Sequence, residues 1–435
     1  MDVLIPIETT AREALYKIYL SKLLALEGVN SYLGTKSHIF FLTQLFTNYT
    51  YLDKGYHQGT SDIIYEKIRN NNGKIVNLDE EGAVDFPENS ILKSRYSKTL
   101  FESSDQVFLW GENQFNLIKE NIQDLNKITI TGHPRFELLN KKFHGLYQKE
   151  VNEIKAKYGK YILINTNMGF GNNLKGDEFV EANYKSRFEN INEIISFDKE
   201  KCKSFISLVK KLAKQYDGNI IFRPHPEEKL DIYEDAFDSI NNIKVLFKGS
   251  AIDWIIGSEL MIHPDCTTAI ESSIIGRKAI SFLPSNYNSS LVTKLPLDVS
   301  TGFTDEKALL KYIKNKNHKK VEEQDENINK IIENHFSVSK NSSLLIQDEI
   351  VKFYNKKLTT KNSISPKDYL SLKILSLKIK YGNSESHRFI KQKLQGIEVQ
   401  NFKRLNSLVN KINPEFENVI MKNVSYGLYT FTTKK

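Results

Sequence analysis

Two histidine-proline turns carry the residue types and spacing of an anion site. Arg223-Pro224-His225-Pro226-Glu227-Glu228 follows the run Asn219-Ile220-Ile221-Phe222. His263-Pro264-Asp265-Cys266-Thr267-Thr268-Ala269-Ile270-Glu271 follows Leu260-Met261-Ile262. Each run reads as a buried strand, so both turns fall at carboxyl ends of strands, where α/β proteins hold ligands. The second turn passes straight into a helical pattern, Thr267 to Ile275, closed by Gly276. The first amides of such a helix lack intrahelical partners and attract anions. Thr267 and Thr268 add hydroxyls, the imidazole of a neighbouring turn adds a donor, and Glu271 stands one turn in, placed to accept from ribose hydroxyls. Taken singly, a Thr pair before an apolar run is an ordinary N-cap, and Arg-Pro-His-Pro is a rigid strand end. Their pairing on two strand ends describes a nucleotide pocket.

Three further groups have the composition of a site. Asp79-Glu80-Glu81-Gly82 follows the apolar run Ile75 to Leu78. Adjacent carboxylates repel, which raises the pKa of one and suits it to take a proton; the plain alternative is a solvated acidic loop. Thr131-Gly132-His133-Pro134-Arg135-Phe136 ends another strand. There Gly132 allows close approach of the backbone to a ligand, and His133 and Arg135 can face an anion. Asn165-Thr166-Asn167-Met168-Gly169-Phe170-Gly171-Asn172 is a glycine-spaced loop whose bare amides suit a phosphate. It lacks the third glycine of a dinucleotide fingerprint. No Walker A, Gly-x-Ser-x-Gly or His-Glu-x-x-His sequence occurs, which disfavours phosphate-loop hydrolases, serine hydrolases and zinc peptidases.

The elements that must position these residues alternate. Strand candidates are Val3 to Ile7, Val29 to Leu33, Thr50 to Leu52, Ile75 to Leu78, Val107 to Trp110 and Ile128 to Thr131. Helical patterns lie between them, the first with Leu15, Ile18, Tyr19, Leu23 and Leu26 on one side. The alternation restarts at Tyr161 to Asn165 and continues through 219–222, 243–247, 260–262 and 279–283. A chain of 435 residues exceeds one core. The predicted organisation is two doubly wound, Rossmann-like α/β domains, 1–150 and 151–318, facing a cleft, followed by a helical, basic extension over 319–435 with a polar linker at Lys356 to Ser365.

Charge and cysteines narrow the setting. Residues 359–435 hold 14 Lys or Arg against 5 Asp or Glu, a net +9 that leaves −1 for the rest of the chain. In this tail Leu370, Ile374, Leu377 and Tyr381 line one stripe, flanked by Lys373, Lys378 and Lys380, which suits either an anionic membrane surface or a helix packed on the body. The tail has no nucleic-acid reading motif and the body is near neutral, so no nucleic acid partner is expected. Cys202 and Cys266 have neither metal-like nor disulfide-framework spacing, which fits a reducing cytoplasm. No secretory leader pattern and no membrane-length apolar run is present, so the expected location is cytoplasmic, peripheral at most.

On these residues the chain resembles bacterial surface-carbohydrate biosynthesis proteins and, more distantly, sialyl-, polysialyl- and Kdo transferases. The shared signature is acid-acid-Gly, then His-Pro, then a Ser or Thr pair, matched by Glu80-Glu81-Gly82, His225-Pro226 and Thr267-Thr268 in that order. The resemblance runs from Val3 to about Pro284, and departs from the pattern in having Cys266-Thr267-Thr268 where a serine pair is commoner. It implies a GT-B fold and a bacterial enzyme that moves an acidic sugar, Kdo or sialic acid in type, from a CMP donor to a capsule, lipopolysaccharide or other surface glycan acceptor. It also implies that Glu80 or Glu81 is catalytic, that His225 and the Thr pair hold the CMP phosphate, and that neither metal nor cofactor is needed. The donor side would then take in Arg223, Pro226, His263, Thr267, Thr268, Glu271, Asn165 and Gly169, and the acceptor side Asp79, Gly82, His133 and Arg135. The turns around His133 and His225 also look like those of teichoic-acid enzymes that use CDP-glycerol or CDP-ribitol. A non-catalytic sugar-nucleotide or glycan binding protein is the third reading.

Overall fold

The structure, a computed structural model, describes residues 2–82, 90–185, 188, 190–246, 249–283, 291–316, 323–353 and 362–434. The chain divides into two compact units. One draws on Met1–Gly82, Ile91–Leu146 and Glu333–Lys435; the other is built from Tyr147–Ile332.

In the first unit β1 (Asp2–Ile7), β2 (Asn30–Thr35), β3 (Thr50–Asp53), β4 (Lys74–Leu78), β5 (Gln106–Leu109) and β6 (Ile128–Ile130) pair in parallel in the order β2-β1-β3-β4-β5-β6. Every residue of β1, β3 and β5 is buried. Burial on both faces is why these segments read as continuous apolar runs rather than alternating ones. The strand order reverses direction between β1 and β3, which opens a crevice at their carboxyl ends.

The second unit repeats the plan. Strands β7 (Tyr161–Asn165), β8 (Asn219–Arg223), β9 (Ile243–Val245), β10 (Met261–His263), β11 (Ala279–Phe282) and β12 (Thr301–Phe303) form a parallel sheet ordered β12-β11-β10-β7-β8-β9. Its reversal point lies between β7 and β10. Phe205, Leu208 and Leu212 of the helix Ile191–Ala213 pack with Ile162, Ile164, Phe222, Ile262 and Ile280 into its main core.

The C-terminal region departs from the expectation of a separate helical extension. Helices Ser342–Lys352, Pro366–Tyr381, Glu385–Lys393 and Val399–Asn410 are present, but residues 333–435 belong to the first unit. The chain ends in a hairpin, β13 (Val419–Ser425) and β14 (Leu428–Thr433), and β14 pairs antiparallel with β2 to make an eight-stranded sheet. The cause is in the sequence: Leu428 on one face of the strand and Tyr429 and Phe431 on the other are all buried, after Gly427, which takes a left-handed φ of 78°. β14 lies close against Gly34 of β2, where a Cβ would stand 2.8 Å from the Gly427 carbonyl oxygen. Most of the expected linker, 356–361, lies outside the described residues. Among the described residues no helix is long and apolar enough to cross a membrane.

Candidate functional site

In the second unit β7 stands between β8 and β10, so the loop after β7 is flanked by the two histidine-proline turns. Asn165, the last residue of β7, donates through Nδ2 to Thr268 Oγ1 at 3.0 Å, bridging the crevice between β7 and β10. Its Oδ1 is buried with no hydrogen-bond partner, as is Oδ1 of Asn167. A buried carbonyl oxygen left without a donor costs on the order of 1–3 kcal/mol. Both oxygens are therefore unsatisfied acceptors, at the end of β7 and in the loop that follows it. Thr267 is half-buried and, as N-cap of the helix Thr268–Ile275, makes no side-chain capping bond; Glu271 is also half-buried. Thr268 differs, since its hydroxyl is already engaged by Asn165 and by the Cys266 sulfur at 3.1 Å.

The two histidines are not equivalent. His225 and Pro226 are exposed, and Gly169 lies beside them, its ideal Cβ position 3.8 Å from His225 Nδ1. His263 is fully buried. Its Nδ1 accepts from the Cys266 amide at 3.2 Å and its Nε2 lies 2.8 Å from Ser300 Oγ, which in turn donates to the Pro296 carbonyl. These contacts define a neutral, Nε2-protonated ring, and burial pushes its pKa down to about 4. The expectation that His263 lines the donor pocket is corrected: it holds the turn that presents Thr267. Arg223 is buried too, donating to the Gly249 carbonyl at 3.0 Å with its guanidinium 5.3 Å from the Trp254 ring. Burial pushes its pKa down to about 10.

The glycine-spaced loop is held by two carboxylates, Glu228 and Asp198, whose part in it is not legible from the motif. Glu228 accepts from Thr166 Oγ1 at 2.8 Å, from the Met168 amide at 2.9 Å, from the His225 amide at 3.1 Å, and from the Tyr233 hydroxyl. One buried carboxylate thus fixes the β7 loop and the His225 turn together. Asp198 accepts from the Phe170 and Gly171 amides, and Lys201 links it at 2.8 Å to Asp265 of the second turn at 3.2 Å. The expectation of bare loop amides is corrected at Met168, Phe170 and Gly171. Gly171 is needed for a different reason, since a Cβ there would meet Lys199 N at 2.5 Å.

In the first unit the carboxyl ends of β1, β3 and β4 line a cavity of about 190 Å³ that includes Glu8, Lys54, Glu80, Glu81 and Arg95. The three adjacent acids have separate fates. Asp79 is buried and paired with Arg95 through two contacts of 2.6 Å, and its Oδ1 accepts from the Glu81 amide. It ties the turn down instead of facing an acceptor. Glu80 is buried, accepts from the Tyr16 hydroxyl, and lies 3.0 Å from Lys17 Nζ; Lys17 also pairs with the buried Glu13 at 2.6 Å. Burial raises the Glu80 pKa, but Lys17, His133, Tyr16 and Lys54 outweigh it and hold the carboxylate well below the usual range. The expected upward shift from carboxylate crowding is therefore reversed for Glu80, because cations absent from its sequence neighbourhood surround it. Glu81 is the accessible acid, its side chain 59% exposed and 3.5 Å from both Arg12 and Arg95.

His133 comes to the same place. Its Nδ1 accepts from the Arg135 amide at 3.0 Å, while Nε2 stands 3.7 Å from Glu80 Oε2. Neither of those two facing atoms has a hydrogen-bond partner, and both are buried. Burial pushes the His133 pKa down to about 3. Gly132, expected to admit a ligand, instead admits the chain itself: a Cβ there would lie 2.6 Å from Ser342 Oγ. A Cβ at Gly82 would lie 3.0 Å from Gln114 Nε2, and Arg135 stacks on Phe136 at 4.6 Å. A further cavity, of about 890 Å³, holds none of these residues; it opens beside Lys160, Glu259, Arg277 and Lys278, at the amino edge of the second sheet.

No protein-family model matches the sequence, and no curated protein matches it. Solved structures do resemble it. UDP-GlcNAc 2-epimerase from Methanocaldococcus jannaschii superposes with a TM-score of 0.52 at 14% identity, over 81% of this chain and 100% of that one. A histidine variant of the wall teichoic acid polymerase TagF soaked with CDPG gives 0.50 at 11% identity, over 82% and 90%. The fold is of the GT-B type. At such identities the likeness concerns the paired Rossmann-like units and says nothing of individual site residues.

Proposed function

We propose that the protein is a glycosyltransferase that moves an acidic sugar, of the Kdo or nonulosonic acid kind, from a CMP donor to a surface glycan or glycolipid at the cytoplasmic face of the membrane. The observation that carries the reading is the β7–β10 crevice. There two buried, unpartnered amide oxygens, an uncapped helix N-terminus and the exposed His225 stand on one sheet edge at its reversal point. The helix N-terminus at Thr267 and the imidazole of His225 receive the CMP phosphate; Asn165, Asn167 and Glu271 accept from donors of the nucleoside.

Glu81 is the base. It is accessible, whereas Glu80 is locked as an anion by Lys17 and makes a poor proton acceptor. In the reaction the acceptor hydroxyl gives its proton to Glu81, its oxygen bonds to the anomeric carbon, and the bond from that carbon to the phosphate oxygen of CMP breaks. The electron pair leaves on the phosphate, a stabilised monoester that departs without metal assistance. The likeness to TagF soaked with CDPG favours polyol-phosphate transfer as the second reading, since the same crevice would hold a cytidine diphosphate.

A thermal-shift panel of CMP, CDP, UDP and GDP tests the assignment. A ligand at about 100 times its Kd stabilises the folded state by about 2.7 kcal/mol. CMP should raise the melting temperature of the native chain and not that of His225→Ala. A response to CDP alone moves the assignment to the second reading, and a preference for UDP overturns both.

A further inference from the structure

The helix Pro366–Tyr381 presents two opposite faces. Leu372, Ser376 and Ile379 are buried against the first unit, with Ser376 Oγ bonded to His38 Nε2 at 3.0 Å and to the Tyr426 carbonyl at 3.2 Å. The other face carries Leu370, Ile374, Leu377 and Tyr381 at 61%, 49%, 56% and 61% exposure. At about 100° per residue these four fall within roughly 60° of one another, centred opposite the buried face. Lys367 and Lys378 stand on one side of the stripe and Lys373 and Lys380 on the other, all four exposed. Lys373 lies over the Tyr369 ring and Lys380 over the Tyr381 ring, each at 5.2 Å. The helix holds one carboxylate, Asp368, which is spent at the N-terminus, where its amide and side chain bond to the Ser365 cap.

Four large apolar side chains in a row on one capped, well-anchored helix form a surface that monomeric proteins do not leave in water without a use. A partner that is itself apolar would not require a lysine pair along each edge. A surface that is apolar within and negatively charged at its rim does, because lysine stems can lie along the stripe while their ammonium groups reach outward. We propose that this helix docks the protein on an anionic lipid bilayer, with Leu370, Ile374, Leu377 and Tyr381 entering the acyl boundary and Lys367, Lys373, Lys378 and Lys380 meeting the headgroups. The docking stands independently of the transferase reading. It is a property of the first unit, built by the same C-terminal region that completes its sheet.

The test is flotation of the full-length protein with vesicles of phosphatidylcholine alone or mixed with phosphatidylglycerol. The native chain should float with the mixed vesicles, and salt should weaken it. Leu370→Ser with Leu377→Ser should weaken partitioning about thirtyfold, and each lysine changed to Gln about fivefold. Leu377→Trp should shift its emission to the blue only when anionic vesicles are added. All of these positions are exposed, so urea midpoints should stay at the native value, separating lost docking from lost folding. Equal binding to neutral vesicles, or flotation unaffected by the paired serine variant, overturns the proposal. A change of oligomeric state in the serine variant without a change in flotation assigns the face to a second copy of the chain instead.

Discussion

Replacing each acid of the 80–81 pair by its amide separates a structural carboxylate from a reactive one. Glu80→Gln keeps shape and can still accept from Tyr16, but leaves Lys17 with Glu13 as its remaining carboxylate partner. Removing one member of a buried ion pair costs about 3–5 kcal/mol. Because Glu13 remains 2.6 Å from Lys17, which is then not left unpaired, the loss should fall below that range, at about 2–3 kcal/mol. In a unit of this size that lowers the melting temperature by roughly 5–10 °C. Glu81→Gln touches an exposed side chain and should stay within about 0.5 kcal/mol of the native chain. Urea denaturation at pH 7 reads both. The pH dependence adds a sign: a carboxylate whose folded pKa is depressed contributes stability above its unfolded value, near 4.3, and loses it as pH falls toward the folded one. The gap between native and Glu80→Gln chains should therefore be full at pH 7 and narrow below about pH 4. If Glu80→Gln proved as stable as Glu81→Gln at pH 7, the buried ion network would not be holding Glu80 as described, and the choice of Glu81 as base would lose its footing.

Two further outcomes follow from burial. His38, His133 and His263 have pKa values pushed down to about 4, 3 and 4, so as pH drops through about 6.5 the unfolded chain takes up protons that the folded chain refuses. Each histidine should remove about 1.4 kcal/mol of stability per pH unit until its folded pKa is reached, and urea midpoints at pH 7 and pH 5 that coincide would refute this. Deleting residues 419–435 removes β13 and β14 and bares the edge of β2, an unpaired row of amides and carbonyls; light scattering should show aggregation, and a soluble monomer would mean the hairpin is dispensable.

The strands were readable because burial on both faces leaves an unbroken apolar signal, and the turns were readable because Pro, Gly and His stand where those signals stop. Burial of charge was not. The helix Thr10–Leu26 reads as amphipathic, yet 13 of its 17 residues are buried, Glu13, Lys17 and Lys22 among them. Glu13 and Lys17 have the spacing of a surface i,i+4 pair, and only Glu80, far along the sequence, makes them part of a core. Asp198, Lys201 and Glu228 were hidden for the same reason: each acts on a turn supplied by another element. The final hairpin was readable in principle. Tyr429-Thr430-Phe431-Thr432 alternates as a strand does, but the run is short and stands in a lysine-rich tail.

A buried ion network is a poor way to stabilise a protein, since apolar side chains of the same volume do as well or better. The first unit nevertheless places Glu13, Lys17, Glu80 and His133 together beside a cavity, at a strand edge where the chain would otherwise pack aliphatic residues. What such a cluster supplies and Leu or Ile cannot is a fixed field. Glu80 held as an anion favours the cationic forms of Arg12 and Lys54, and Arg12 in turn stands beside Glu81. The network therefore fixes the charges around the one exposed carboxylate of the turn. The second unit follows the same rule with different residues, Glu228 and the Asp198–Lys201–Asp265 chain fixing the loops on either side of β7. In both units buried charge is used at the carboxyl edge of the sheet, under the turns that carry the exposed groups, which is where misplacement by an ångström would matter most to a reaction.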